Sequence, residues 1–405
     1  MKCGLLGKHL THSYSPQIHS FLGNYDYALF EKQPQELEDF LRNGDFTGIN
    51  VTIPYKKEVI SYCDRLSDRA QRLGAVNTLV RQQDGALIGH NTDYFGFYSM
   101  VEKTDLSFDG KKVLVLGSGG ASVTAVAVLE ELGAMPVTVS RSGKNNYNNL
   151  HLHQDAFAIV NATPVGMYPN AGQSPVDLDL FPNLGCVLDI VYNPARTQLI
   201  LDAQARNIPC ANGLWMLVAQ AKEASEWFTG KKIDDTVIQD IYDTLRLQME
   251  NIILIGMPGC GKSTVGQLLA RQTGKCFVDA DAEIVKSAGM SIPEIFNKQG
   301  EAGFRAWETK ILQQLGQQSG LVIATGGGCV TREENYPLLH QNGTIFWLQR
   351  DIAALPTDGR PLSQTGSLQD MYQIRKPLYE RFADRIILNN GTPENAAYRI
   401  LEEWK

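Results

Sequence analysis

No stretch of these 405 residues is apolar for long enough to cross a bilayer as a helix. The opening MKCGLLGKHL lacks the apolar core of a signal peptide. Both absences predict a cytoplasmic protein with no membrane partner. No long Lys/Arg run occurs, and 37 basic residues face 44 acidic ones for a net charge of −7, which argues against a nucleic-acid partner. No Cys-x-x-Cys pair occurs among Cys3, Cys63, Cys186, Cys210, Cys260, Cys276 and Cys329. Their odd number and scatter exclude a zinc ribbon or a disulfide framework and fit a reducing compartment. His151-x-His153 lacks carboxylate or cysteine partners at metal spacing and is expected in a solvated loop. Internal repeats and Gly/Ser-rich linkers are absent, and NNYNN (145–149) is too short to be more than a polar loop.

What is present is an ordinary globular composition, 43% apolar and 20% charged, over a length that suggests two or three domains. Three strand–glycine–helix units punctuate it. The first is KCGLLG, a polar loop and QIHSFL. The second is KKVLVLGSGGASVTAVAVLEELG, and the third is NIILIGMPGCGKSTVGQLLARQTG. In the latter two, a short apolar run meets a Gly-rich turn and then a helix-period pattern, the start of a parallel α/β sheet. Residues 233–250 carry an apolar stripe at Ile233, Val237, Ile241 and Leu245 that predicts a helix, and a new strand begins after Met249. A domain boundary is expected at 246–250.

The pattern G-x-x-x-x-G-K-S at Gly256, Gly261, Lys262 and Ser263 follows a strand and precedes a helix, the context a phosphate-binding loop requires. Its backbone N–H groups face phosphate oxygens at a helix N-terminus. Gly259, Cys260, Gly261, Lys262, Ser263 and Thr264 are therefore expected to hold ATP, with Lys262 on the β/γ-phosphates and Ser263 on Mg²⁺. After it, KCFVDAD reads as a strand, and Asp-x-Asp on a strand sets Asp279 and Asp281 on one face, one for the metal and one for a substrate hydroxyl. The landmarks GMPGCGKST, DAD (279–281), GFRAWE (303–308), TGGG (325–328), GRPL (359–362) and RKPLYERFA (375–383) together resemble the shikimate kinase family over nearly all of 249–405. The resemblance implies that Asp281 contacts the acceptor's ring hydroxyls and helps deprotonate it, with Asp279 left for the metal. It implies that Arg305 and Arg375 clasp the shikimate carboxylate near the Gly327 backbone, and that Arg360 stands on a lid and stabilises the transferring phosphoryl group. Two guanidinium forks suit a planar carboxylate. The lid region looks shorter than in many relatives, and a second lid arginine common there has no clear counterpart.

In VLVLGSGGAS (113–122), Gly117 and Gly119 begin a dinucleotide fingerprint that ends on Ser122. Gly117, Ser118, Gly119, Gly120 and Ala121 are the expected pyrophosphate cradle. About twenty residues on, where an NAD site places an acid, stand Ser140 and Arg141 with Lys144 behind. Cations there suit the 2′-phosphate of NADP. Ahead of this unit lie four polar clusters: HSYSP with Ser13 and Ser15, GINVTIPYKKEV with Asn50, Thr52 and Lys56, GAVNT with Asn77, and GHNTD with Asn91 and Asp93. Together they resemble the shikimate dehydrogenase family over residues 1 to about 245. That resemblance implies carboxylate binding by Ser13 and Ser15, and hydroxyl binding by Thr52, Asn77, Asp93 and Gln220. It implies catalysis by Lys56 with Asp93, Tyr192 near the substrate, and Ile190 and Gly213 on the nicotinamide side. NATPVGM (161–167), LDIVYNPART (188–197) and NGLWMLVAQA (212–221) agree. Val123, Asn212 and the Pro of NATP depart from the common pattern, all at cofactor grip or turns.

The two resemblances name consecutive steps. The implied enzyme reduces 3-dehydroshikimate with NADP(H) and phosphorylates shikimate with ATP and Mg²⁺, giving shikimate 3-phosphate for aromatic amino acid biosynthesis. The implied architecture is α/β throughout. A substrate-binding domain (1–100, with helices from about 213–245 packing back) precedes a Rossmann-like NADP-binding domain (101–212). A P-loop kinase domain with a parallel sheet (249–405) follows. Self-association through the dehydrogenase part is an expected partner interaction. Two other readings compete: a quinate/shikimate-type dehydrogenase joined to another small-molecule kinase, and a non-catalytic ligand-sensing regulator on the same folds. The second predicts loss of Lys56, Asp93, Lys262 or Asp281, and all four are present.

Overall fold

The strand–glycine–helix units seed three separate sheets in the computed structural model, which describes residues 1–10, 13–169, 171–355 and 368–404. The chain divides into two compact units. One comprises Met1–Tyr192 and Leu199–Thr244, the other Asn193–Gln198 and Leu245–Lys405.

The first unit holds two sheets. Strands β1 (Lys2–Gly7), β2 (Asp26–Glu31), β3 (Gly48–Val51), β4 (Arg65–Leu66), β5 (Thr78–Arg81) and β6 (Leu87–His90) form the sheet β2-β1-β3-β5-β6-β4. β1, β2 and β3 run parallel, whereas β5 pairs antiparallel with both β3 and β6. The sheet is thus mixed, and the short β5–β6 hairpin turns Asn77 and Asp93 back toward β3. Leu6, Ile49, Val51 and Leu79 are buried in its core.

Strands β7 (Lys112–Leu116), β8 (Met135–Val139), β9 (Ala158–Asn161), β10 (Cys186–Asp189) and β11 (Cys210–Ala211) form the second sheet, β11-β10-β9-β7-β8, all parallel. β7, β9 and β10 are apolar almost throughout because helices cover both faces of such a sheet. Two apolar clusters lie on its opposite sides, one around Val113, Val115 and Val160, the other around Leu114, Leu116 and Ile159. The helix Thr236–Met249 begins after Asp234, whose carboxylate accepts from Thr236 N at 2.9 Å. Its buried stripe is Ile238, Ile241, Leu245 and Met249. Ile238 therefore takes the inward position expected of Val237, and Ile233 lies outside the helix.

In the second unit, β12 (Asn251–Ile255), β13 (Cys276–Asp279), β14 (Leu321–Ala324), β15 (Gly343–Gln349) and β16 (Arg385–Leu388) form the parallel sheet β13-β14-β12-β15-β16. Ile252, Ile253, Leu254 and Ile255 are fully buried at its centre. Residues 193–198 count with this unit, where Arg196 N donates to Gln341 O (2.8 Å) and its guanidinium to the carbonyls of His340 and Gly343.

Candidate active sites

In the first unit a cleft of about 220 Å³ is lined by residues of the first sheet and its loops, by the segment after β10 and by the helix Leu214–Thr229. Lys56 follows β3 and Asp93 opens the helix Asp93–Glu102, whose N-terminus favours an anion. Lys56 Nζ donates to Asp93 Oδ2 at 2.6 Å. Ser13, Ser15, Thr52, Asn77, Tyr192, Gln220, Ile190 and Gly213 line the same cleft. Ser13 Oγ accepts from Ser15 N at 3.2 Å. Tyr192 meets Tyr14 edge-on, and burial raises its phenol's pKa.

The amide side chains are oriented from behind by residues that the sequence reading left without a role. Thr92 N donates to Asn77 Oδ1 at 2.7 Å, and Asn77 Nδ2 donates to Thr92 Oγ1 at 3.0 Å. Thr92 Oγ1 also reaches Gln220 Oε1 at 3.4 Å, and Gln220 Nε2 donates to Leu217 O. Thr78, like Thr92 fully buried, donates to Asn77 Oδ1 and accepts from Asn50 Nδ2. With its carbonyl held by a backbone N–H and its amide by Thr92, Asn77 lines the cleft in a fixed orientation. The places of Thr78 inside GAVNT and of Thr92 inside GHNTD were the signals that could have found this.

The expected cofactor residues gather at the C-terminal ends of β7, β8 and β10. Ser122 Oγ closes the glycine turn by donating to Gly117 O at 2.7 Å. Gly119 precedes the helix Gly120–Glu131, and space is open beside Gly119 and Gly120. An anion can therefore approach the backbone of Gly117–Ala121 at a helix N-terminus. Ser140 follows β8, with Arg141 and Lys144 exposed beyond it. A Cβ on Gly213 would lie 1.9 Å from Ile190 O, so only glycine lets these two segments touch. Beneath them Asn161 and Asp189 are fully buried, and Asn161 Nδ2 donates to Asp189 Oδ1 at 2.9 Å. Asp189 also accepts from Val191 N at 3.0 Å. This pair, missed in NATP and LDI, fixes the loop that carries Ile190 and Tyr192.

His153 departs from expectation. It is buried, with Nε2 3.2 Å from Asn145 Oδ1, because residues 150–153 coil into a 3₁₀ turn over the polar loop.

The second unit has a cleft of about 680 Å³ above its central strands. Gly261, at φ 100°, turns the chain into the helix Lys262–Thr273, and a Cβ there would meet Asn389 Nδ2. Asn389 Nδ2 in turn donates to Cys260 O at 2.7 Å. Lys262 Nζ folds back over the loop to Gly256 O (2.8 Å) and Met257 O (3.1 Å). Gly259, Ser263 and Thr264 also line the cleft, whereas Cys260 is buried beneath it. The loop's N–H groups and lysine suit a triphosphate.

Ser263 Oγ donates to Asp279 Oδ2 at 2.7 Å. Asp279 and Asp281 are not alternate residues of one strand, however. Asp279 ends β13 and caps the next helix, Ala280–Ala288, accepting from Asp281 N and Ala282 N. Capping competes with strand continuation at this position, so Asp281 lies in the helix's first turn. Among the described residues no cluster of three or more His, Cys, Asp or Glu could hold a metal alone. Ser263 and Asp279 are the pair that could share Mg²⁺ with a nucleotide's phosphates.

Arg305 is buried and donates to Glu308 Oε2 at 2.6 Å and to Glu301 Oε1. A methyl at Gly326 would lie 2.6 Å from Glu308 Oε1 and 2.9 Å from Asp281 Oδ1, so both carboxylates face one spot. Both oxygens are buried without a protein partner, and burial raises both pKa values. Arg375 Nη1 donates to Gly327 O at 3.2 Å, and the Tyr379 hydroxyl donates to the same carbonyl. Glu308 and Tyr379 lay within GFRAWE and RKPLYERFA without an assigned role. Arg360 lies outside the described residues.

Residues 258–405 match the family model for shikimate kinase, and residues 5–79 match that for the shikimate dehydrogenase substrate binding domain. A shikimate dehydrogenase (NADP(+)) of Clostridium perfringens is 35% identical over 265 residues, covering 60% of this chain and 97% of that protein. Among solved structures, shikimate dehydrogenase 1 from Peptoclostridium difficile is 36% identical with a TM-score of 0.56, covering 61% of this chain and 98% of that one. The shikimate 5-dehydrogenase from Thermus thermophilus in complex with NADP(H) and shikimate is 30% identical with a TM-score of 0.56, covering 60% and 99%.

Proposed function

The chain belongs to the shikimate dehydrogenase family and carries a shikimate kinase domain behind it, and from that premise we infer a bifunctional enzyme of the shikimate pathway. It reduces 3-dehydroshikimate to shikimate with NADPH, then phosphorylates shikimate with ATP. The observation that carries the reading is that two clefts with different reaction machinery present groups suited to the same ligand. Each offers donors for one carboxylate and polar groups for ring hydroxyls.

In the first cleft, we assign carboxylate binding to Ser13 and Ser15 and hydroxyl binding to Thr52, Asn77 and Gln220. Lys56 gives its proton to the carbonyl oxygen as that oxygen gains charge, and Asp93 holds the ammonium in place through their 2.6 Å bond. NADPH supplies the hydride when bound. Gly117, Ser118, Gly119, Gly120 and Ala121 would hold its pyrophosphate, Ser140, Arg141 and Lys144 its 2′-phosphate, and Ile190 and Gly213 its nicotinamide.

In the second cleft, Arg305 and Arg375 hold the acceptor's carboxylate and Asp281 takes the proton of the attacking hydroxyl. Lys262 stabilises the transferring phosphoryl group. Ser263 and Asp279 would hold Mg²⁺, and Arg360, outside the described residues, is assigned to the transferring phosphoryl group. Retention of Lys56, Asp93, Lys262 and Asp281 counts against a sensor without catalysis.

The same reading includes a cytosolic setting, supported by seven unpaired cysteines. It also includes a homodimer formed through the dehydrogenase part, which light scattering after size exclusion tests by mass. For the reaction itself, the protein is incubated with 3-dehydroshikimate and NADPH, then given ATP. NADPH loss followed by shikimate-dependent ADP release is expected. NADPH loss without that second signal breaks the bifunctional reading.

A further inference from the structure

Four cations line the cleft of the second unit: Lys262, Arg305, Arg350 and Arg375. Three have acceptors in the protein. Lys262 is held by two loop carbonyls, Arg305 by two carboxylates and Arg375 by Gly327 O. Arg350 forms no hydrogen bond or ion pair with any described residue, and its Nε is buried without an acceptor. A buried donor left unmade is unfavourable until a ligand completes it.

The position of Arg350 says which ligand that is. β15 lies beside β12, with Ile255 paired to Trp347, so the residues after β15 run past the phosphate loop that follows β12. A Cβ on Gly256 would stand 2.5 Å from Leu348 O, which sets the strand end directly against the loop. The backbone after Arg350 is fixed, because Asp351 N donates to Asn390 Oδ1 at 2.9 Å. The nearest acid in sequence, Asp351, accepts from Ala353 N and does not neutralise the guanidinium. Arg305 and Arg375 already serve the acceptor side of the cleft, around Gly326–Gly328. On the nucleotide side Lys262 is the other described cation facing several negative charges, and the sequence offers no clear second lid arginine.

We propose that Arg350 is a ligand of the nucleotide's phosphates, a guanidinium supplied by the end of β15. A planar fork of N–H donors fits phosphate oxygens. The proposal rests on the kinase reading of this cleft.

The test uses the full chain as wild type, Arg350→Gln and Arg350→Lys, with equilibrium binding of ATP, ADP and adenosine. NADPH oxidation by the same preparations reports that the first unit is folded, and the KM for shikimate reports that the second is. Arg350→Gln is expected to weaken ATP and ADP by about tenfold or more and to leave adenosine unchanged. Arg350→Lys should recover part of the loss, since it restores charge but not the fork. The KM for shikimate at saturating ATP should stay within about twofold of wild type. Unchanged ATP and ADP affinity in Arg350→Gln overturns the proposal. So does an equal loss for adenosine, which would place the side chain on the base, or a shift confined to shikimate. If wild type binds ATP but does not phosphorylate shikimate, the kinase reading fails, and the ATP, ADP and adenosine comparison still decides the role of Arg350.

Discussion

Among the described residues Lys56 has Asp93 as its one ion-pair partner, at 2.6 Å, and its side chain is the proton donor in the proposed chemistry. Replacing it with alanine removes general acid catalysis, worth roughly 10²–10⁴ in rate, while Ser13, Ser15, Asn77 and Gln220 remain to bind substrate. Steady-state NADPH oxidation by Lys56→Ala should therefore show kcat down by that factor with KM for 3-dehydroshikimate little changed. Tyr379 makes a different kind of prediction. Its hydroxyl touches Gly327 O and lies 3.9 Å from Met257 Sδ, while its ring packs on Trp347, fully buried. Tyr379→Phe keeps the packing and deletes one hydrogen bond to the acceptor loop. The KM for shikimate in the kinase assay should rise roughly two- to tenfold, with the KM for ATP and the dehydrogenase rate unmoved. These residues also mark the limit of sequence reading at this scale. Lys56, Asp93, Lys262 and Arg305 were legible because their chemistry is rare and their motifs short. Tyr379 and Thr92 sat inside quoted motifs, yet each works through a partner far along the chain or on a neighbouring loop. No local pattern names that partner.

The helix Leu214–Thr229 carries Gln220 into the first cleft, and one turn on, Glu223 pairs with Arg69 at 2.9 Å. Burial is the main cause that lifts the Glu223 carboxyl to a pKa of about 7, from an ordinary 4.5. Because the folded value lies above the unfolded one, the folded state holds the proton more tightly. The cost of ionising Glu223 is absent below pH 4.5, grows as pH rises toward 7, and is constant above that. Glutamine mimics the protonated form. Glu223→Gln should thus stabilise the first unit at pH 8 by on the order of 1–3 kcal/mol and by less at pH 5.5, read as midpoints of thermal unfolding at the two values. An equal effect at both would mean that the charge carries no cost. Elements of this kind were legible where periodicity was strong. The strands KVLVL and NIILI and their helices announce parallel sheets by apolar runs buried on both faces. The antiparallel β5–β6 pair did not announce itself, since TLVR and LIGH are too short to show direction. Asp-x-Asp misled for a related reason: Asp279 fits a strand end and a helix cap equally well in sequence, and the capping bonds decide.

Every lining residue of the first cleft lies in Met1–Tyr192 or Leu199–Thr244, and every lining residue of the second lies in Leu245–Lys405. Each proposed reaction is therefore chemically complete within one unit. The fusion was legible in the sequence because each half carries its own glycine turn, its own cations and its own acids, whereas the units divide between Thr244 and Leu245, inside a helix, rather than at Met249. Completeness has a measurable consequence. Lys56→Ala disables reduction alone, and Lys262→Ala disables phosphoryl transfer alone. A one-to-one mixture of the two variants contains one working copy of each site, on different chains. Given 3-dehydroshikimate, NADPH and ATP, the mixture should form shikimate 3-phosphate, whereas either variant by itself should not. Its steady rate should match that of wild type at half the total protein, after a lag in which free shikimate accumulates toward the kinase KM. Product analysis by mass spectrometry follows both the intermediate and the product. A mixture that reduces substrate and accumulates shikimate, yet fails to phosphorylate it, would show that the kinase site needs a working dehydrogenase on its own chain. Two self-contained clefts would then be the wrong description of how this molecule works.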